Sequence, residues 1–200
     1  MKILIVGGNG TLGRKVTERL KEKHEVIVAS RNSGDLNVDI TDIKSIKNLF
    51  EQTGKLDAIV STAGAAKWAA FDEMTEDDFY IGIKSKLMGQ VNLVRIGKDY
   101  LNNGGSITLT TGILADDPVE NTTNAATVNN AIHGFVKAVS LELKNDIRIN
   151  AVSPGLVEDS KEKLGDLFPG HTPVSMEKMV SGYVKSIEGK VRGEVIRIYG

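Results

Sequence analysis

Several residue types that carry common protein chemistry are scarce or absent in this chain. It contains no cysteine, which excludes disulfides, thiol nucleophiles, cysteine-ligated zinc and iron–sulfur clusters. Only three histidines are present, His24, His133 and His171. No two of them have the i, i+4 spacing of a helical metal site. The sequence therefore gives no support to thiol chemistry or to a histidine-ligated metal.

Long apolar runs and blocks of one charge sign are also missing. The chain interleaves 25 basic and 26 acidic residues to a net charge of -1, so nothing indicates a nucleic-acid or membrane-surface partner. The apolar run at residues 3–6 is too short for a signal peptide, and no stretch approaches a membrane span. We therefore expect a cytoplasmic protein. At 200 residues and 40% hydrophobic composition, we expect a single domain over residues 1–200 with a sizeable core.

Short apolar runs alternate with longer segments of helical periodicity. Strands are predicted at 2–7, 25–30, 36–40, 57–62, 106–111, 147–153 and 194–199. Helices are predicted after the first strand, at 41–52, from a Thr75–Asp78 capping box to about 101, at 124–144, and from a Ser175 cap to about 187. This alternation predicts an α/β fold: a Rossmann-like, doubly wound parallel sheet of about seven strands with helices on both faces. Segment 158–172 has the weakest pattern and is predicted to be an irregular loop, open to motion.

A glycine-rich stretch follows the first predicted strand. Gly7-Gly8-Asn9-Gly10-Thr11-Leu12-Gly13 satisfies GxGxxG counted from Gly8 and opens the first helix. Glycines let the backbone turn tightly and approach a pyrophosphate, and a helix N-terminus offers free N–H groups. A hairpin turn at Asn9-Gly10 is the alternative, but the helical spacing after Gly13 argues against it. The order of strand, loop and helix therefore predicts dinucleotide binding through this stretch.

The end of the second strand indicates which dinucleotide is bound. A fold that prefers NAD usually places an acid there, to bond the ribose 2′-hydroxyl. Here the strand ends Ala29-Ser30-Arg31-Asn32, and Arg31 could form charge-assisted hydrogen bonds with a 2′-phosphate. A solvated surface arginine is the alternative. We therefore expect NADP(H) rather than NAD(H).

Further segments occur in the order found in a known family. They are Val38-Asp39-Ile40-Thr41, Ser61-Thr62-Ala63-Gly64, a helix with Ala131, Gly134 and Leu141-Glu142-Leu143, and Asn150-Ala151-Val152-Ser153-Pro154-Gly155. Together with the glycine loop they resemble the short-chain dehydrogenase/reductase family over nearly the whole chain. The resemblance implies an oxidoreductase with further cofactor contacts at Asp39, Ile40, Thr62, Ala63, Gly64, Pro154, Gly155 and Val157. It also implies a homo-dimer or homo-tetramer through the helices at 84–101 and 124–143; coverage of the sheet in a monomer is the alternative.

The chain departs from the family pattern in three places. Thr11 stands where the standard loop has its middle glycine, and Gly10 comes one position earlier. Few residues separate Arg31 from Asp39, so the helix usually found there is predicted to be missing. Where members often have a phosphate-contacting Thr after Pro-Gly, this chain has Asp159 followed by Ser160. An aspartate there would repel phosphate, so we do not expect that contact.

The largest departure concerns the catalytic groups of the family. Its members use a Tyr as general acid/base, a Lys four residues later that lowers the pKa of the Tyr, a Ser that bonds the substrate oxygen, and an Asn that orders water. Matching the long helix through its Ala and Gly puts the Tyr and Lys positions at Ala125 and Asn129. The Ser position falls near Thr111 or Gly112, and the Asn position falls at Lys86. The Tyr and Lys are thus predicted to be absent.

One function that remains open is oxidation or reduction at a rearranged site. Lys86 could supply the lost charge, or donate a proton itself once desolvation lowers its pKa. Thr110 or Thr111 could hold the carbonyl oxygen, and Asn124 or Asn129 could donate further hydrogen bonds. The alternatives are a solvated Lys86 and an ordinary strand threonine at 111. We expect Lys86, Thr111 and Asn129 to be the catalytic residues, acting on an unknown carbonyl or alcohol substrate.

Two other functions compete with this one. The protein could bind NADP(H) as a sensor or regulator without turnover, since fold does not fix function. It could also run another reaction with bound cofactor, such as an epimerisation, using Asp116, Asp117 or His133. We expect His133 to be packed or surface-exposed instead, and the two aspartates to form a turn before Pro118. The direction of the Lys86 side chain separates the first two functions, because a catalytic Lys86 has to point into the cleft beside Thr111.

Overall fold

The apolar runs of the sequence form the strands of one parallel sheet. The structure, a computed structural model, describes all residues from Met1 to Gly200. The strands are β1 (Lys2–Val6), β2 (Glu25–Ser30), β3 (Leu36–Asn37), β4 (Leu56–Ser61), β5 (Leu101–Thr110), β6 (Arg148–Pro154) and β7 (Val195–Ile198). Their order is β3-β2-β1-β4-β5-β6-β7, and every neighbouring pair is parallel. The order reverses between β1 and β4, and the crevice outside the strand ends there is where such sheets bind ligands.

Helices cover both faces of this sheet. They are α1 (Thr11–Lys21), α2 (Ile43–Thr53), α3 (Glu76–Gly82), α4 (Gly89–Gly97), α5 (Thr123–Ser140), α6 (Glu158–Leu164) and α7 (Met176–Glu188). In β1, Leu4 and Val6 pack into a core shared with α2, α4 and α5, whereas Ile3 and Ile5 pack against α1 and α7. Burial on both faces explains why the strands read as continuous apolar runs. The predicted Rossmann-like fold is confirmed.

The third helical segment is less regular than the sequence suggests. The predicted capping box is present: Asp78 N donates to Thr75 Oγ1 (3.2 Å), and Thr75 N donates to the Asp78 carboxylate (3.0 Å). The helical region predicted from there to about residue 101 is confirmed, although it is not one regular α-helix. A π-helical turn at Ile83–Met88 separates α3 from α4, and a 3-10 turn at Lys98–Tyr100 ends the segment. π-Helical turns occur frequently at functional sites.

The prediction of an irregular loop at 158–172 is wrong. It contains α6 and a 3-10 turn at Gly165–Leu167. The helix is short and has no apolar stripe, so its periodicity is invisible in the sequence. Its ends are matched to the helix dipole instead, with Glu158 and Asp159 in the first turn and Lys161 and Lys163 in the last.

Other boundaries differ by a few residues. The helix predicted at 124–144 ends at Ser140, and Asn145 and Asp146 soon afterwards adopt positive φ angles of 57° and 54°. The strand predicted at 36–40 is reduced to Leu36–Asn37. No helix in the chain is both long and apolar enough to cross a lipid bilayer.

Candidate active site

The glycine loop after β1 packs so closely on the segment after β4 that side chains are excluded. A Cβ atom at Gly13 would lie 2.2 Å from Gly7 O and 2.6 Å from Thr62 Oγ1. Gly7 has a φ of +87°, and a Cβ there would lie 2.9 Å from Ala63 N. Helix α1 begins at Thr11 without a side-chain cap or an acidic residue in its first turn. Its first N–H groups and its positive dipole end can therefore meet an anion such as a pyrophosphate.

The loop between β2 and β3 lies beside the glycine loop and carries an exposed arginine. Asn9 Nδ2 donates a hydrogen bond of 2.9 Å to Ser33 Oγ, which ties the two loops together. The Arg31 side chain is 66% exposed, and its Nε lies 3.8 Å from Asp39 Oδ2. Residues 31–35 form no helix, as predicted. Arg31 is therefore free to turn towards a ligand at the end of β2.

The aspartates near Arg31 accept hydrogen bonds from other groups of the protein. Hydrogen bonds from the hydroxyl (2.7 Å) and the N–H (2.9 Å) of Thr41 lower the pKa of Asp39. Asp35 Oδ2 accepts a bond of 2.8 Å from Val28 N. The Ile40 side chain is buried in the core, so a ligand would meet only its backbone. No free carboxylate therefore takes the place of the acid that selects NAD.

An open cavity of about 300 Å³ lies at the carboxyl ends of the central strands. Its wall includes the predicted residues Thr11, Leu12, Gly64, Lys86, Thr111, Asn129, Pro154, Gly155 and Val157. The other predicted cofactor residues lie outside this wall: Gly7, Asn9, Gly10, Gly13, Arg31, Asp39, Ile40, Thr62 and Ala63. The three predicted catalytic residues thus border one space together with the start of α1 and the end of β6.

Lys86 is the only charged residue in the wall of the cavity. It belongs to the π-helical turn and packs against Gly64, where a Cβ would lie 2.8 Å from Lys86 Cα. Although Lys86 keeps some contact with solvent, the surrounding protein desolvates its ammonium and lowers its pKa to about 8. A desolvated lysine with such a pKa can exchange a proton near neutral pH. Lys86 faces the cavity, in contrast with the solvated alternative.

A buried glutamine joins the π-helical turn to the end of β5. Gln90 is 0% exposed. Its Oε1 accepts a bond of 2.9 Å from Thr110 N, and its Nε2 donates to Thr110 O (3.0 Å) and Lys86 O (3.3 Å). The backbone of Lys86 is thereby fixed relative to Thr111, the next residue after Thr110.

His133 is bonded to the cavity residue Thr111. Its Nε2 lies 2.8 Å from Thr111 Oγ1, and both residues are buried. Burial lowers the pKa of His133, and the nearby Asp116 carboxylate opposes this shift. The histidine is packed, as predicted, but its contact with the site was not predicted. A signal was available, because Ala125, Asn129 and His133 follow one another at intervals of four on one face of α5.

The two aspartates before Pro118 each lie close to a basic side chain of the protein. Arg197 donates two bonds to Asp116, of 2.8 and 3.0 Å, and this contact lowers the pKa of Asp116 to about 2. Tyr199 also donates to Asp116, and its pKa is raised to about 12, mainly by burial. Asp117 lies 3.5 Å from His171 Nε2. Neither aspartate lines the cavity, which argues against both as acid–base groups.

The two asparagines considered as donors have different surroundings. Asn124 Oδ1 accepts from Lys67 N, and its Nδ2 donates to Phe79 O, both at 3.0 Å. Both amide atoms of Asn124 are thus bonded within the protein, and Asn124 does not line the cavity. Asn129, by contrast, lines the cavity, and its buried Oδ1 has no hydrogen-bond partner.

The segment after β6 forms part of the cavity wall. Val157 lies in the wall and precedes α6, whose Ser160 also faces the cavity. Asp159 is exposed and lies outside the wall. The expectation that Asp159 makes no phosphate contact stays a prediction.

Comparison with known proteins places the chain among enzymes of one family. The family model described as Enoyl-(Acyl carrier protein) reductase matches residues 3–176. The 3-oxoacyl-(acyl-carrier-protein) reductase MabA from Mycobacterium avium is 26% identical, over 99% of this chain and 79% of that protein. The crystal structure of the protein lin1944 from Listeria innocua is 48% identical with a TM-score of 0.98, over 100% of both chains. A small-chain dehydrogenase in complex with NADPH is 31% identical with a TM-score of 0.89, over 100% of this chain and 96% of that one. The chain belongs to the short-chain dehydrogenase/reductase family of oxidoreductases.

Proposed function

We propose that this protein is an NADP(H)-dependent oxidoreductase that interconverts a carbonyl compound and an alcohol, with Lys86 as its acid–base residue. The observation that carries the proposal is the position of Lys86 in the wall of the cavity. The start of α1, Thr111 and Pro154-Gly155 border the same space. A proton donor, a hydroxyl group and the expected cofactor segment are thus within one small site.

The glycine loop fits the phosphates of a dinucleotide. The backbone at Gly7 and Gly13 leaves no room for side chains, and the uncapped start of α1 offers N–H groups to an anion. Bound NADPH would supply the hydride for carbonyl reduction. Arg31, exposed at the end of β2, would bond the 2′-phosphate. The NADPH complex of the 31% identical dehydrogenase supports the same cofactor here.

Lys86 would complete the reduction by protonating the substrate oxygen. The ammonium gives its proton to the oxygen as the C=O bond electrons move onto it, and the resulting amine takes a proton from water at the cavity mouth. Because the pKa of Lys86 is about 8, the ammonium is the major form at neutral pH and a stronger acid than an ordinary lysine. Thr111 would hold the same oxygen, with its hydroxyl oriented by His133. Reduction should therefore slow as pH rises through about 8.

Replacement of Lys86 tests the proposal. In Lys86→Met, we expect NADPH-dependent reduction over a panel of ketones and aldehydes to fall by about 100-fold or more. NADPH affinity, measured calorimetrically, should stay the same. Lys84→Met is the matched control, because Lys84 lies in the same π-helical turn but is exposed, with its Nζ 5.3 Å from the Tyr80 ring centroid. Full activity in Lys86→Met would remove Lys86 from the chemistry.

Titration with the four nicotinamide dinucleotides tests the cofactor. We expect micromolar binding of NADPH and weaker binding of NADH. Arg31→Ala should weaken NADPH binding by about 10-fold, the equivalent of one charge-assisted contact, and leave NADH binding unchanged. Lys47→Ala, an exposed change on α2, is the control for loss of one positive charge. Equal losses for both dinucleotides would argue against a 2′-phosphate contact.

A second function is favoured by one feature of α5. Ala125 and Asn129, the positions assigned to the Tyr and Lys of the family, both face the cavity, and no tyrosine lines it. NADP(H) binding without turnover, as in a sensor, agrees with the predicted absence of that Tyr and Lys. Tight NADPH binding together with no reduction or oxidation of any substrate in the panel would favour the sensor.

A further inference from the structure

A third hydrophobic cluster borders the cavity, apart from the two cores on the faces of the sheet. It joins apolar side chains from α5 and from the segments after β5 and β6. Its five buried residues all lie in the cavity wall: Ile113, Leu114, Ala125, Leu156 and Phe168. The cluster is thus a preformed apolar surface at the cavity, of the kind that small-molecule sites use to hold the body of a ligand.

Trp68 extends this surface and is itself open to solvent. It is the only tryptophan of the chain, and it is 36% exposed although it lies in the cavity wall. Its ring centroid is 6.4 Å from that of Phe168, which is within the contact range of aromatic pairs. Phe168 is buried and also packs edge-on against His171, at 5.3 Å. Trp68 therefore rests on the cluster and keeps apolar surface that a ligand can remove from water.

The backbone on both sides of Trp68 is held in place. Lys67 N donates to Asn124 Oδ1, and Ala69 N donates to Asn121 O, both at 3.0 Å. Asn124 is buried on α5. The segment that carries Trp68 is therefore fixed before any ligand binds, so little ordering entropy is lost on binding.

The wall offers no partner to a charged substrate body. Lys86 is its only charged residue, and the proposed function uses it at the carbonyl oxygen. The other polar side chains of the wall are neutral: Thr11, Thr111, Asn129 and Ser160. A charge in the body would lose its hydration without gaining an ion pair. The wall thus selects against charged molecules.

We propose that the substrate is a hydrophobic ketone or aldehyde whose uncharged body packs against Trp68 and the cluster, and that Trp68 determines this specificity. The carbonyl oxygen lies towards Lys86 and Thr111, and the body extends towards Trp68. Each CH₂ group that moves from water onto the cluster strengthens binding by about 4-fold. A hydrogen-bonding atom in the body weakens binding, because it loses water without gaining a partner.

This inference rests on the function proposed above, because it takes the bound carbonyl compound to be the one that is reduced there. The carbonyl carbon takes the hydride, its oxygen takes the proton of Lys86, and the body is unchanged. One ketone, one NADPH and one proton thus give one secondary alcohol and one NADP. Packing of the body requires no turnover, so it can be measured separately from reduction.

A matched pair of probes tests the inference by binding. Acetophenone and 4-acetylpyridine have the same shape and differ at one ring position, which is C–H in the first and a nitrogen acceptor in the second. Each is titrated into the protein alone and into the protein with NADP. NMR follows the indole N–H signal of Trp68, which is unique because the chain has one tryptophan.

We expect acetophenone to shift this signal and to bind at least about 10-fold tighter, because the ring nitrogen of its analogue loses its water. Equal affinities, tighter binding of 4-acetylpyridine, or no binding of either probe in both conditions would overturn the inference.

Variants of two neighbouring aromatic residues locate the contact. Binding is followed here through the backbone amide of Gly112, which lies in the wall. Trp68→Ala should weaken acetophenone binding by about 10-fold, and Trp68→Phe should restore most of the affinity. Phe71→Ala is the control, because Phe71 is 65% exposed and lies outside the wall. It should leave the affinity unchanged, and an equal loss in Phe71→Ala and Trp68→Ala would remove Trp68 from the specificity.

Reduction of the two probes with NADPH is measured separately. Trp68→Ala should raise KM for acetophenone and leave kcat within about 2-fold, as expected when uniform binding is lost. A preference for acetophenone in binding without any reduction would refute the proposed activity and leave the hydrophobic specificity standing. Reduction of both probes with equal affinities would refute the specificity and leave the activity standing.

Discussion

The two sides of the candidate site, the glycine loop and the cavity beside it, are built by different means. On one side, the glycine loop approaches the segment after β4 with backbone against backbone, and Gly7 and Gly13 leave no space for a Cβ. On the other side, Lys86, Thr111 and Asn129 border the cavity with their side chains. A surface made of backbone requires the absence of side chains, so it permits little substitution. A surface made of side chains can exchange its chemical groups while the helices and strands that carry them stay in place.

The largest expected effect comes from a steric clash introduced on the backbone side. Gly13→Val should lower the free energy of unfolding by about 3 kcal/mol or more, since its Cβ would lie 2.2 Å from Gly7 O. Gly10→Ala is the matched control. Its Cβ would have Gly7 O as nearest neighbour at 3.4 Å, so the loss should stay within about 1 kcal/mol. Urea unfolding of both variants measures the difference, and similar losses would contradict the contrast between the two sides.

The next effect comes from loss of the hydrogen bonds that hold the side-chain side in place. Gln90→Leu leaves the N–H and C=O of Thr110 without their side-chain partner in a buried place. We expect a loss of about 2–4 kcal/mol in the free energy of unfolding. Gln52→Leu, which removes one exposed bond to Asn48 O, should cost less than about 0.5 kcal/mol. A small loss in Gln90→Leu would show that Lys86 and Thr111 are held by other contacts.

The third effect concerns the charge placed on the side-chain side. The pKa of Lys86 is lowered from 10.5 to about 8 in the folded protein, so the unfolded chain binds more protons between these pH values. The stability of the wild type relative to Lys86→Met should therefore rise as pH increases through that window. The gain should be on the order of 3 kcal/mol, since the pKa falls from 10.5 to about 8 and each pKa unit corresponds to about 1.4 kcal/mol. Urea unfolding of both proteins at several pH values checks this, and a difference in stability that does not change with pH would contradict the lowered pKa of Lys86.

The smallest expected effect shows whether His133 orients the Thr111 hydroxyl or only packs behind it. His133→Leu keeps the side chain buried but removes the bond to Thr111 Oγ1. We expect kcat to fall about 10-fold, equal to about 1.4 kcal/mol in the barrier, with NADPH affinity unchanged. His133→Gln retains a polar group for Thr111 and should recover most of the rate. Equal rates in both variants would reduce His133 to a packing role.

The backbone side is the part of the site that the sequence predicts best. Glycine spacing after an apolar run is a local pattern with a direct steric cause, as Gly7 and Gly13 illustrate. The sheet was predictable for a related reason: strands buried on both faces have to be continuously apolar. Lys86, Thr111 and Asn129 are far apart in the chain, so no local pattern predicts that they lie together. Only the resemblance to a family predicted it.

Features that depend on contacts between helices and strands could not be predicted from the sequence. The bond between His133 and Thr111 joins a helix to a strand end, and only the interval of four from Asn129 pointed to it. The bonds of Gln90 depend on where β5 ends. Helix α6 has charged ends but no apolar stripe, so periodicity could not reveal it. The unpaired Oδ1 of Asn129 is a property of its surroundings, which no pattern of residue types expresses.

The π-helical turn at Ile83–Met88 has a consequence for changes in chain length. A π-helical turn holds about one residue more than an α-helical turn. Deletion of one residue before Lys86 would allow ordinary α-helical spacing and rotate the preceding helix relative to Lys86 by about 100°. Either Lys86 would leave the cavity wall or α3 would lose its own packing. The loss of one codon there should therefore be far more damaging than most substitutions, since the direction of this lysine is encoded by a count of residues as well as by their identity.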